Sequence, residues 1–112
     1  MILIIEDEPL LSELLYETLR GLNRLCIGSY NELIELPSQT ISNTYMVISD
    51  LHLEQNHSAI NVKDYVLNIN PNIQCVLMSG GNVPPEISSL FKCTLLKPFN
   101  LKEFRKMCST RT

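Results

Sequence analysis

Residues 45–50, Tyr45-Met46-Val47-Ile48-Ser49-Asp50, form a short apolar run that stops abruptly on a carboxylate. A run of this length and composition reads as a strand. Three other runs end the same way. Ile2-Leu3-Ile4-Ile5 leads into Glu6, Asp7 and Glu8, the run 73–78 leads into Ser79, and 94–96 leads into Lys97. The run at 2–5 has no polar alternation, as expected of a strand covered on both faces. If these strands lie parallel in one sheet, several carboxylates, a hydroxyl and an ammonium meet at one edge.

The stretches between the strands have helical signatures. Pro9 suits a first helical turn. Leu10, Leu11, Leu14, Leu15, Leu19 and Leu22 then form a helical stripe, and Gly21 is a natural stop. Leu25-Cys26-Ile27-Gly28 reads as a second strand. Ser29 and Glu32 have capping-box spacing for a brief helix, and 37–44 reads as a polar loop. After the loop 51–57, Ala59, Val62, Val66 and Ile69 predict an amphipathic helix that ends at Asn70-Pro71. Pro84-Pro85 opens a short helix over 85–91. Asn100 and Glu103 cap a last helix whose apolar face is Leu101, Phe104 and Met107. Five strand–helix alternations predict an α/β fold, a doubly wound parallel sheet with helices on both faces. Ligands of such sheets bind beyond the carboxyl ends of the strands, at the switch point in strand order.

Composition narrows the function. The chain has 112 residues, enough for one domain, so 1–112 is read as a single unit. Its net charge is −3, and its 9 Lys and Arg are scattered, which argues against direct nucleic-acid binding. No apolar stretch approaches the ~18 residues a membrane helix needs, and the start has no basic region of a signal peptide. A cytoplasmic location is expected. Cys26, Cys75, Cys93 and Cys108 are widely spaced, as expected of reduced thiols acting as small hydrophobes. His52 and His57 lie in a polar loop with too few partners for a zinc site and are expected to be exposed.

Carboxylates crowded at one edge repel each other unless something neutralises them. An all-oxygen donor set suits Mg²⁺, which keeps waters and bridges readily to phosphate. Asp7 and Asp50 are the expected direct ligands, with Glu6 binding directly or through water. A backbone carbonyl after Asp50, that of His52, is the expected third protein donor. Lys97 and Ser79 would then supply a cation and a hydroxyl to a phosphoryl group. That leaves Asp50 as the nucleophile, since a carboxylate can form an aspartyl phosphate.

Taken together and in order, IIEDEP, the strand ending at Asp50, MSG and LLKPF resemble the receiver domain of two-component response regulators. The resemblance covers essentially the whole chain. It implies a flavodoxin-like (βα)5 fold with strand order 2-1-3-4-5. It implies Glu6 and Asp7 as the acidic pair holding Mg²⁺, Asp50 as phosphoacceptor, Ser79 as switch hydroxyl, Lys97 as the family's lysine and a cis Lys97-Pro98 bond. It further implies a phosphorelay protein rather than an enzyme. The donor would be a phosphohistidine on a histidine kinase or phosphotransfer protein. The output would be docking to a downstream protein, with no output domain of its own; a homodimer is compatible with it.

The chain also departs from the family pattern. Thr94 stands where an aromatic residue usually lies three positions before the lysine, and Phe91 is too far back to replace it. Glu54 and Ser58 stand where the acceptor loop usually has Pro and Gly. Only 17 residues separate Ser79 from Lys97, so the fourth helix of the pattern is short. The second reading is therefore a receiver-fold interaction scaffold that has lost switching. An aspartyl phosphatase would want an acid two positions after the nucleophile, where His52 stands. A flavin module would want hydroxyl or glycine donors where EDEP stands.

Overall fold

The structure, a computed structural model, describes residues 1–110. Strands β1 (Ile2–Ile5), β2 (Arg24–Ile27), β3 (Met46–Asp50), β4 (Gln74–Ser79) and β5 (Cys93–Leu96) form one sheet in the order β2-β1-β3-β4-β5. All four pairings are parallel. Six helices connect and follow them: α1 (Pro9–Thr18), α2 (Tyr30–Glu35), α3 (Ser38–Ser42), α4 (Ala59–Ile69), α5 (Pro85–Ser88) and α6 (Leu101–Ser109).

Strand periodicity explains the two layers. Successive side chains of a strand point to opposite faces. Leu3, Ile5, Val47, Cys75 and Leu77 meet Leu33 of α2, Ile41 of α3 and Ala59, Val62 and Val66 of α4. Ile2, Ile4, Met46, Ile48, Val76 and Met78 meet Leu15 and Leu19 together with Phe104 and Cys108 of α6. Every residue of β1 is fully buried, so the unbroken apolar run reflects two covered faces.

The structure corrects several details of the sequence reading. Residues 37–44 are not simply a polar loop, because α3 lies within them. Pro37 (φ −57°) sets the first turn and the fully buried Ile41 anchors it. One apolar residue among five gives no periodic signal. Leu15 of α1 and Leu19 just after it are buried, but Leu10 is 75% and Leu14 47% exposed. At 100° per residue Leu10 lies about 140° and Leu14 about 100° around the helix from Leu15, away from the sheet. The fifth helix ends at Ser88 rather than 91, because the chain must turn to bury Phe91 and to join Lys92 N–H to the Cys75 carbonyl at 2.8 Å. Strand β2 starts at Arg24 and stops before Gly28, β4 runs from Gln74 and includes Ser79, and β5 starts at Cys93. Gly21, at φ +92°, makes the left-handed turn after α1.

All four cysteines are free. Burial pushes the thiol of Cys75 up to about 11 and that of Cys108 to about 12. Among the described residues, no helix is long and apolar enough to cross a membrane.

Candidate functional site

Register places the polar groups together. Ile5 pairs with Ser49, Asp50 with Met78, and Ser79 with Leu96. The residues just beyond these pairs are Glu6, Asp7 and Lys97. The strand order reverses at β1, which is the switch point.

One carboxylate oxygen from each of Glu6, Asp7 and Asp50 lies within 4.8 Å of the others. Lys97 joins two of them: its Nζ lies 2.8 Å from Glu6 Oε1 and 2.6 Å from Asp50 Oδ1. Glu6 and Asp50 are buried, while Asp7 is exposed. The Glu8 N–H donates to Glu6 Oε2 at 3.1 Å. Glu8 has a different task. Its carboxylate caps α1, accepting from the N–H groups of Leu10 (3.3 Å) and Leu11 (2.9 Å), where negative charge also suits the helix dipole.

Burial raises the Glu6 carboxyl above its usual 4.5, and the hydrogen bond and charge of Asp50 add to that, against the lowering pull of Lys97 and the Glu8 N–H. Burial also works against the charge of Lys97, but the bonds and charges of Asp50 and Glu6 outweigh it, and its ammonium titrates above the usual 10.5. A carboxyl whose folded pKa is raised adds stability below its unfolded value and loses it as pH rises through the folded value. Glu6→Gln removes this loss. In EDTA, urea unfolding should show the variant gaining on the wild type as pH rises from 4 to 7. A wild type that gains on the variant over that range would mean that the Glu6 charge stabilises the metal-free fold.

Ser79 lies at the same edge but is engaged elsewhere. Its hydroxyl donates to the Gly81 carbonyl at 2.9 Å and accepts from the Gly81 N–H at 3.2 Å. Backbone pairing still fixes its position, with Lys97 N–H donating to the Ser79 carbonyl at 2.8 Å. Asp50, His52, Ser79, Gly80 and Lys97 line a cavity of about 190 Å³. The Lys97-Pro98 bond is cis.

The loop after Asp50 closes as a small hairpin. Leu53 N–H donates to the His57 carbonyl at 2.9 Å and Ala59 N–H to the Leu51 carbonyl at 3.0 Å, flanking the bridge between His52 and Ser58. His52 therefore occupies a non-hydrogen-bonded position, with its carbonyl turned away from that pairing. Its side chain is exposed, as expected. His57 is not: it is partly buried, with its ring 4.4 Å from that of Tyr30. Neither the Glu8 cap nor the His57 stack has a sequence signal, since Glu is an uncommon cap and the stack joins residues far apart in the chain.

The donor set suits a hard divalent cation. Three carboxylates and an exposed edge are the oxygen ligands Mg²⁺ favours, and a buried carboxylate beside another gains from a positive neighbour.

No protein-family model matches the sequence, and no curated protein does. Solved structures do. A response regulator receiver domain protein from Clostridium thermocellum is 19% identical, covers 94% of this chain and 87% of its own, and has a TM-score of 0.81. The response regulator TrrA from Thermotoga maritima, in complex with Mg²⁺-BeF, is 22% identical over 96% of this chain and 94% of its own, with a TM-score of 0.79. A response regulator from Burkholderia pseudomallei, with a phosphorylated aspartic acid, calcium ion and citrate, is 18% identical over 99% of this chain and 66% of its own, with a TM-score of 0.75. At these identities the likeness is one of architecture, and the chain has the CheY-like, flavodoxin-type fold of response-regulator receiver domains.

Proposed function

We propose that this chain is a phosphorelay receiver that accepts a phosphoryl group on Asp50. The observation that carries the reading is the contact of Lys97 Nζ with both Asp50 Oδ1 (2.6 Å) and Glu6 Oε1 (2.8 Å) at the carboxyl edge of the sheet. Glu6, Asp7, Asp50 and the His52 carbonyl would hold Mg²⁺. Bound there, the ion supplies positive charge between the carboxylates and the phosphoryl oxygens. The donor is a phosphohistidine of a histidine kinase or phosphotransfer protein.

Asp50 supplies the attacking oxygen. An O–P bond forms, the P–N bond of the phosphohistidine breaks, and its electron pair stays on the imidazole nitrogen. Lys97 is already at the acceptor oxygen and neutralises charge on the transferring group. Ser79, on leaving Gly81, donates its hydroxyl to a phosphoryl oxygen. The chain keeps the group instead of turning over a substrate, so we read it as a signalling module and not an enzyme. It would work in the cytoplasm, by docking to a downstream protein.

Incubation with acetyl phosphate and Mg²⁺ should add one phosphoryl group by intact mass, and Asp50→Ala should abolish the addition. An adduct that survives in Asp50→Ala would reject the assignment. The scaffold reading has its own support in Thr94 and in the four-residue α5. An adduct with unchanged amide exchange over 79–97 would favour it.

A further inference from the structure

We propose that the first turn of α2 is a clamp that positions the metal-binding loop, with Tyr30 and Asn31 as its positioning residues. The inference rests on the phosphoacceptor reading and assigns a task to residues outside that site. The loop closes on itself, and α2 meets it at its tip. Gln55 (φ 60°) and Asn56 (φ 62°) are consecutive left-handed residues, and neither is glycine. They are the central residues of the hairpin turn, which His57 N–H closes by donating to the Glu54 carbonyl at 3.3 Å.

Two side chains of α2 hold this turn from outside. Asn31 Nδ2 donates to Gln55 Oε1 at 2.7 Å, and the Tyr30 ring lies against that of His57, tilted by 35° with centroids 4.4 Å apart. These contacts grip the tip and the returning arm of the hairpin whose outgoing arm carries the His52 carbonyl. The clamp itself is anchored. Ser29 Oγ accepts from Glu32 N–H at 3.1 Å, and Glu32 Oε2 accepts from Gly28 N–H at 2.6 Å. Gly28 follows Ile27, whose carbonyl accepts from the Glu6 N–H at 3.0 Å. The same stretch of backbone thus references both Glu6 and the loop donor, so α2 sets the distance between two of the proposed ligands. Partners that orient ligands without touching the metal typically change affinity by about 10–100-fold.

The test is Mg²⁺ titration by calorimetry on the full chain, with amide exchange at Leu53 and Ala59. Asn31→Ala and Gln55→Ala should each weaken Mg²⁺ binding about tenfold and speed exchange at both amides. The double variant should be no worse than either single, because both remove one contact. Tyr30→Phe should bind as the wild type does, and Tyr30→Leu should not. Asn31 is exposed, so the urea midpoint of Asn31→Ala in EDTA should not move. In that variant, saturating Mg²⁺ should restore the rate of uptake from acetyl phosphate. Wild-type affinity in Asn31→Ala, or additive losses in the double variant, would overturn the clamp alone. A wild type that binds no Mg²⁺ would overturn the phosphoacceptor reading and the clamp with it.

Discussion

Lys97→Met is expected to slow phosphoryl uptake on Asp50 by at least about a hundredfold, the usual effect of removing one donor aimed at developing charge. The ammonium is placed in advance, 2.6 Å from the Asp50 carboxylate, so it need not be reorganised during the proposed transfer. Methionine fills similar space and carries no charge. The same change should tighten Mg²⁺ binding, because Lys97 competes with the cation for oxygens of Glu6 and Asp50. Opposite movements of rate and metal affinity separate loss of the cation from general damage. Lys97→Arg should not rescue the rate, since a planar guanidinium cannot place a single point charge between two carboxylates. Wild-type uptake in Lys97→Met would remove the lysine from the chemistry.

Phe104→Ala should give the largest stability loss, about 3–5 kcal/mol. Phe104 is 1% exposed and stacks on Phe99 at 5.4 Å, in the layer that joins α6 to the sheet. Few side chains can move in to fill the void, because Ile2, Ile4, Met46 and Ile48 beneath it belong to the strands. Total stabilities of small domains are about 5–15 kcal/mol, so the variant should be marginal. Urea unfolding would measure the loss as a lower midpoint at unchanged slope. A loss under 1 kcal/mol would mean that the layer around α6 repacks freely.

The sheet was legible because four of its five strands are apolar runs closed by a polar group. Length and alternation with helical stripes left a parallel sheet as the consistent arrangement. The meeting of Glu6, Asp7, Asp50 and Lys97 follows from that alone, since parallel strands in register end at one edge. Ser79 reached the edge for the same reason, but its bond to Gly81 depends on local turn geometry that no spacing encodes. Short elements were harder to read. Helix α3 has one buried residue, Ile41, and α5 is cut off by the need to bury Phe91. The leucine stripe of α1 is wider than its buried face, because leucine marks a helix face equally whether it meets the sheet or water. The contacts of α2 with the loop after Asp50 join residues 24 and 27 positions apart, and only folding brings them together.

The deeply buried thiols give this molecule its own gauge of opening. With Cys75 near 11 and Cys108 near 12, an alkylating reagent at neutral pH meets almost no thiolate while the fold is closed. Modification at these two positions should follow the opened population, one on each side of the sheet. Brief alkylation read by mass would thus reveal which layer parts first, with no label added to the chain.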